Sequence, residues 1–279
     1  MKHHPFRTSV TLLAAVASLA AYFFIASAAT AARSQWVTSQ GGDIRIVAGR
    51  PKPDGAIPAI LDIRLKPGWK TYWLEPGASG IPPQITIDPA TGVVFSGMRF
   101  PPPKNFDDGI VRYTGYDRPV AFPLLLKTDR PRAAQIKASF FLGICKDICI
   151  PVQGDLAFEA NDVENPLDEA RIKDAFAALP AQPSEGFRVK TASLDQAAKT
   201  LRLSMVAPSA SPETPPEIFL AGPPGFSFGK PRKLAAEAGT YLLEVPFRAP
   251  AKGGNLKSGA IFLVARSGGQ SMETPLAFD

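Results

Sequence analysis

The sequence contains very little histidine and very little cysteine. Of its 279 residues, only His3 and His4 are histidines and only Cys145 and Cys149 are cysteines. Both histidines lie in the first 28 residues, which have the pattern of a cleaved export signal. A mature chain without histidine cannot use Ser-His-Asp or Cys-His catalysis and cannot bind zinc through histidine. The two cysteines are therefore its distinctive chemical groups.

Runs of basic residues are also missing. The chain has 31 Lys and Arg against 25 Asp and Glu, a net charge of +6, and removal of residues 1–28 takes away Lys2 and Arg7 and leaves +4. Because this excess is small and spread along the chain, the composition does not favour nucleic-acid binding. No long apolar run follows residue 28, so the mature chain is predicted to have no membrane span.

The N-terminus has the order of segments found in export signals. Lys2 and Arg7 precede the apolar stretch 10–26, and two consecutive A-x-A sequences lie within residues 26–31. This order predicts a signal peptide over residues 1–28 and a periplasmic mature protein, in a compartment where disulfides persist. The alternative is an uncleaved anchor, because about 17 apolar residues reach the lower limit for a membrane-spanning helix.

Short strands dominate the mature sequence. From Trp36 to Ala160, apolar and polar residues alternate in short segments that Pro and Gly separate, and the alternation resumes at Phe187. This pattern predicts an all-β sandwich or barrel architecture.

One segment breaks the alternation. Asn165 can cap a helix that starts at Pro166 and ends at residue 179, before Pro180. We therefore predict two β-sandwich domains, residues 36–160 and 186–279, joined by a helical linker over residues 161–185.

The cysteines are separated by three residues in FLGICKDICIPVQG. In a single extended strand their Cα atoms would lie about 13 Å apart, beyond the roughly 7 Å limit for a disulfide. On a helix they would share a face, but Ile144, Ile148 and Ile150 disfavour a helix. We predict a hairpin whose turn, residues 146–148, places Cys145 and Cys149 at facing ends of antiparallel strands.

Three chemical roles fit this pair. A structural disulfide in a non-enzymatic adaptor would add only about 2 kcal/mol, because the ring is so small. A soft-metal (copper) carrier could use two thiolates, but the mature chain has no histidine and its methionines do not cluster with the cysteines. Thiol–disulfide exchange, in which one thiolate attacks a partner disulfide and the second resolves the mixed disulfide, is favoured and needs no cofactor and no metal.

Three segments, in order, resemble one known family. GWKTYWLEPGASGIPPQ from Gly68, YTGYDRPVAFPLLL from Tyr113 and CKDICIPVQG from Cys145 resemble the N-terminal periplasmic domain of the protein-disulfide reductase DsbD, and more closely its ScsB-type relatives. The resemblance covers roughly residues 36–160. It implies an immunoglobulin-like fold that passes electrons to thioredoxin-fold periplasmic proteins. The second half resembles only the additional sandwich domain of some relatives.

The resemblance assigns Cys145 and Cys149 as the catalytic redox pair. Tyr72 falls where the family has a tyrosine near the cysteines, and Asp107 and Asp108 fall roughly where its cap loop has acidic residues. The residues predicted to support the pair are Tyr72, Asp107, Asp108, Tyr113 and Tyr116. For the aromatic residues among them, ordinary core or edge packing is the alternative.

The resemblance also gives the two cysteines different roles. It places the mixed disulfide with the partner on the second cysteine, Cys149, and makes Cys145 the resolving residue. Pro151 interrupts the hydrogen-bond ladder beside Cys149, which predicts that Cys149 is the more exposed of the two. Lys146 beside Cys145 is the argument for the opposite assignment.

The sequence departs from the family in two respects. It contains no membrane module and no thioredoxin CxxC motif, and its cysteine spacing is shorter than that of the best-known members. A protein-disulfide reductase or thiol:disulfide oxidoreductase of this kind would act with partners in trans. The predicted partners are thioredoxin-fold periplasmic proteins and a membrane disulfide reductase.

Overall fold

The structure is a computed structural model that describes residues 32–77, 80–107, 112–130, 134–160, 165–208, 214–250, 256 and 261–278. The predicted signal segment and Asp108 lie outside these residues. Within these ranges, no helix has the length and apolar character needed to span a membrane.

The described part of the first half contains eleven strands. They are β1 (Val37–Thr38), β2 (Gly42–Ala48), β3 (Ala56–Leu65), β4 (Lys70–Tyr72), β5 (Gln84–Ile87), β6 (Val93–Met98), β7 (Lys104–Asp107), β8 (Arg112–Tyr116), β9 (Val120–Thr128), β10 (Ala134–Cys145) and β11 (Cys149–Ala160). A single 3-10 turn, Pro89–Thr91, separates β5 from β6.

A helix and eight strands form the described part of the second half. They are α1 (Pro166–Ala177), β12 (Arg188–Asp195), β13 (Thr200–Val206), β14 (Glu217–Ala221), β15 (Ser227–Phe228), β16 (Arg232–Glu237), β17 (Thr240–Arg248), β18 (Ile261–Ser267) and β19 (Gln270–Leu276).

The first half is an antiparallel sandwich with an immunoglobulin-like, all-β fold, as predicted. One sheet has the order β1-β2-β3-β9-β6, and the other has the order β11-β10-β4-β8-β7, with β5 also paired to β10. The inward residues of both sheets form one apolar core, in which Ile46, Leu61, Phe122 and Ile136 are completely buried. The apolar residues of the alternating sequence face this core, and the polar residues between them lie on the outer faces of the sheets.

The second half contributes a sheet that is buried on both faces. Strands β12-β13-β17-β15, with β16 on β17, form one sheet, and β14-β18-β19 form another. Along β14, Ile218 and Leu220 pack into the core of the second half, whereas Phe219 and Ala221 pack into the core of the first. Residues 31–279 form one compact unit, and their division into two domains stays a prediction.

Helix α1 begins where the sequence predicted and ends two residues earlier. The Asn165 side chain accepts hydrogen bonds from the backbone N–H groups of Leu167 and Asp168, at 3.1 and 3.3 Å. Ile172 and Ala175 on one face of the helix pack against residues of the first sheet. The helix therefore also covers the outer face of that sheet.

A buried ionic network attaches α1 to the sheet. Asp62, 1% exposed, accepts a hydrogen bond from Arg171 of the helix at 2.9 Å and another from Arg45 of β2 at 3.4 Å. Asp168 of the helix pairs with Arg33 at 3.1 Å and with Arg45 at 3.5 Å. Burial lowers the pKa of Arg45, and the two carboxylates oppose that effect. Each buried charge in this network has a partner of opposite sign, as burial requires.

Replacement of Asp62 by Asn should therefore destabilise the protein by roughly 3 kcal/mol, because the buried guanidinium of Arg45 then keeps only Asp168 as a counter-charge. Urea unfolding followed by circular dichroism measures this difference. Asp174→Asn, on the exposed side of α1, is the matched control and should change stability by less than about 0.5 kcal/mol. Equal stability of the two variants would show that the network does not hold the helix in place.

Candidate redox site

The two cysteines close the hairpin of β10 and β11. The pairing runs from Ala134 opposite Ala160 to Cys145 opposite Cys149, with a three-residue turn in which the Lys146 N–H donates to the Ile148 carbonyl at 3.2 Å. Their Cα atoms lie 4.1 Å apart and the sulfurs form a disulfide. The predicted hairpin is confirmed.

Side-chain alternation places the disulfide on the outer face of the sheet. Leu142 and Ile144 of β10 point into the apolar core, and so does Val152 of β11. Because successive side chains of a strand point to opposite faces, Cys145 and Cys149 point away from the core. The pair is fixed at the edge of a packed sheet without being part of its interior.

Strand β4 brings a tyrosine to the same face. It pairs with β10 on the side opposite β11, with Thr71 opposite Ile144 and Lys70 opposite Cys145. The buried Thr71 hydroxyl donates to the Gly143 carbonyl at 2.9 Å, which ties the two strands together. Thr71 faces the core, so its neighbours Lys70 and Tyr72 face outward beside the cysteines.

The Tyr72 hydroxyl contacts both sulfurs. It lies 2.9 Å from the Sγ of Cys145 and 2.9 Å from the Sγ of Cys149. The sulfurs of a disulfide carry no hydrogen, so the hydroxyl is the donor. The ring fits against Gly143, where a Cβ atom would come within 3.0 Å of two ring carbons. A side chain at position 143 would therefore clash with Ile81 and press against the Tyr72 ring.

The environment of Tyr72 keeps its hydroxyl protonated. Burial, and after it the neighbouring Tyr113, raises the pKa of Tyr72 above its ordinary value. A phenol whose pKa is raised stays neutral to a higher pH, so Tyr72 remains a hydrogen-bond donor throughout the neutral range. The structure places Tyr72 as the resemblance implied, and its catalytic role stays a prediction.

Strands β7 and β8 form a second hairpin, here called the cap hairpin (residues 104–107 and 112–116), beside Tyr72. The Tyr113 ring meets the Tyr72 ring edge-on, with centroids 5.8 Å apart, and Phe106 stacks on Tyr113 at 4.9 Å. The Lys70 ammonium lies over both outer rings, 5.1 Å from the centroid of Phe106 and 5.2 Å from that of Tyr113. Sequence reasoning missed Phe106 and Lys70.

The other predicted supporting residues have different positions. Tyr116 is buried in the apolar core, where its hydroxyl donates to the Pro101 carbonyl at 2.8 Å and burial raises its pKa well above the ordinary value. Tyr116 is therefore a core residue, which was the alternative to a supporting role beside the cysteines. Asp107 is exposed at the end of β7, opposite Arg112. Asp108 lies outside the described residues.

The two cysteines differ in exposure. Cys145 is only 7% exposed, whereas Cys149 is exposed, and the neighbouring Ile148 of the turn is 69% exposed. The predicted difference in exposure is confirmed. A thiolate from another protein can reach Cys149 more readily than Cys145.

Comparisons with known proteins found a family model and a solved structure that are similar to this chain. Residues 45–161 match the family model of the N-terminal part of thiol:disulfide interchange protein DsbD. The crystal structure of the N-terminal periplasmic domain of ScsB from Proteus mirabilis is similar to this chain, with a TM-score of 0.70 and 25% sequence identity. That similarity covers 90% of this chain and 100% of the other, so it extends into the second half. No curated protein matches the chain.

The contact between Tyr72 and the sulfurs yields a prediction for the reduced protein. In a Cys149→Ala background, Tyr72→Phe should raise the pKa of the Cys145 thiol by about one unit or more, because a hydrogen bond to a charged group is lost. The pH dependence of thiolate absorbance near 240 nm measures this pKa. Tyr113→Phe, whose hydroxyl is not bonded to sulfur, is the control and should leave the pKa unchanged. Equal pKa values in the Tyr72→Phe variant and its parent would contradict the proposed hydrogen bond.

Proposed function

We propose that this protein relays electrons through Cys145 and Cys149 to or from thioredoxin-fold partners, because residues 45–161 match the family model of the N-terminal part of thiol:disulfide interchange protein DsbD. The observation that carries the proposal is the position of the disulfide. It lies at the end of a hairpin, with one of its two cysteines exposed and a tyrosine hydroxyl bonded to both sulfurs. A hydroxyl donor at the sulfurs can stabilise the thiolate that forms when the disulfide opens.

Reduction of the disulfide begins at the exposed sulfur. A partner thiolate attacks the Sγ of Cys149, a bond forms between partner and Cys149, and the bond between Cys149 and Cys145 breaks. The electron pair of the broken bond goes to Cys145, which leaves as a thiolate. A second thiolate of the partner then attacks the partner sulfur of the mixed disulfide, and the bond to Cys149 breaks. Cys149 leaves as a thiolate, so the partner is oxidised to a disulfide and this protein is reduced by two electrons.

The reverse sequence reduces a partner. The Cys149 thiolate attacks the partner disulfide and releases one partner thiolate, and the Cys145 thiolate then attacks Cys149. This second step restores the disulfide and releases the partner as a dithiol. Both directions use the same mixed disulfide and need no cofactor.

Exposure supports a division of roles between the two cysteines. Cys149 is exposed, whereas Cys145 is buried, and the Tyr72 hydroxyl lies 2.9 Å from both sulfurs. A leaving thiolate of low pKa departs faster, and a hydroxyl donor lowers the pKa of the thiol that it contacts. We therefore assign Cys149 to the mixed disulfide and Cys145 to the leaving and resolving role.

We also propose where the protein acts and how it is divided. The basic, apolar and A-x-A order of residues 1–28 supports export to the periplasm, and the similar solved structure is a periplasmic domain. Residues 36–160 form the redox domain, residues 161–185 the linker and residues 186–279 a second domain. A membrane disulfide reductase and thioredoxin-fold proteins supply and accept electrons in trans.

Trapping of the mixed disulfide tests the function. Each single-cysteine variant is mixed with an oxidised thioredoxin-fold oxidoreductase, and non-reducing electrophoresis measures the covalent complex. Cys145→Ala, which keeps the exposed Cys149, should accumulate the complex, whereas Cys149→Ala should not. The opposite result would reverse the two roles, and the absence of a complex with either variant would count against the redox function.

A further inference from the structure

Lys70 is the strand partner of Cys145 on the side away from Cys149. The register of β4 and β10 places these two residues directly opposite each other. Side chains directly opposite in an antiparallel pair lie on the same face, with Cβ atoms about 4.5–5.5 Å apart. The Lys70 side chain therefore starts beside the sulfur that leaves as a thiolate in the proposed reaction.

The cap hairpin fixes the position of the Lys70 ammonium. Its Nζ lies over the stacked rings of Phe106 and Tyr113, at 5.1 and 5.2 Å from their centroids. The electron-rich faces of aromatic rings attract a cation at this distance. In the part of the chain that the structure describes, Lys70 forms no ion pair with a carboxylate. Among the described residues, then, no carboxylate pairs with the charge that the two rings hold in place.

Among the described residues, the charged groups of the turn and of the cap hairpin do not provide a fixed positive charge near Cys145. Lys146 and Asp147 of the turn are both exposed and have opposite charges. The Lys146 side chain extends towards the turn at Gly68. Its Cε would lie 3.7 Å from a Cβ atom added at position 68. On the cap hairpin, Asp107 is the strand partner of Arg112, and these two side chains have charges of opposite sign. Exposed charges act weakly because water screens them.

We propose that Lys70 stabilises the thiolate of Cys145 when the disulfide opens. This inference rests on the proposed function and adds a residue to it. When a partner thiolate bonds to Cys149, the electron pair of the broken bond goes to Cys145, and the nearby ammonium lowers the free energy of that thiolate. No proton is transferred in this step. Tyr72 donates a hydrogen bond to the same sulfur, so one donor and one positive charge act on it together.

In this arrangement, the aromatic residues of the cap hairpin position the groups that act on Cys145. Phe106 and Tyr113 hold a flexible lysine side chain in one place, and Tyr113 also contacts Tyr72. A lysine that extended freely into water would lose this position and most of its effect. The two rings therefore position both groups that act on the sulfur.

The pKa of the Cys145 thiol tests this proposal on the free protein. In the Cys149→Ala background, Lys70→Met keeps the length of the side chain and removes the charge. It should raise the pKa of Cys145 by about half a unit, which is about a three-fold loss of thiolate at neutral pH. Lys70→Arg should restore the original pKa, which a purely structural role of the lysine stem does not predict.

Lys146→Met is the matched control, since it removes the charge next to Cys145 in the sequence. The proposal predicts a smaller shift from Lys146→Met than from Lys70→Met. No shift with Lys70→Met, or an equal shift with both variants, overturns it. If Lys70→Met loses its cooperative thermal unfolding, Lys70→Gln provides the same comparison. The pKa of Cys145 is measured without a partner protein, so this result does not depend on whether a mixed disulfide can be trapped.

Discussion

The alternation of side chains along β10 is the constraint on which the site depends. Leu142 and Ile144 are completely buried in the core. Cys145 follows Ile144 at the end of the strand, so it points to the opposite, outer face of the sheet. A slip of the register by one residue would turn Cys145 into the core and Ile144 to the outer face, and the whole strand would lose its apolar contacts. The packing of the sandwich thereby fixes which face carries the disulfide.

The same alternation links the site to the rest of the protein through β4. Tyr72 faces the disulfide, whereas the next residue, Trp73, is buried and meets Phe219 of β14 edge-on at 6.2 Å. Phe219 lies in the sheet that is buried on both faces. The strand that positions the hydroxyl donor is therefore packed against the second half of the chain, and a rigid support of this kind keeps a donor in place while the sulfur chemistry proceeds.

Local patterns predicted most of the hairpin, whereas pairing between distant strands could not be predicted from the residues. The isoleucines around the cysteines and the three-residue turn determine the strand ends within one short segment. Lys70 and Phe106 reach the site only because β4 pairs with β10 on one side and β8 on the other, and no local signal reports such pairing. Tyr72 was found through the family resemblance, and Tyr116 proved to be a core residue because its strand position faces inward.

The central claim is that the disulfide of Cys145 and Cys149 is exchangeable. Its reduction potential, measured by equilibration with glutathione redox buffers and thiol trapping, tests that claim most directly. The account predicts a potential above about −300 mV, within reach of thioredoxin-fold proteins, whereas a potential well below about −300 mV would identify a structural disulfide and contradict the account.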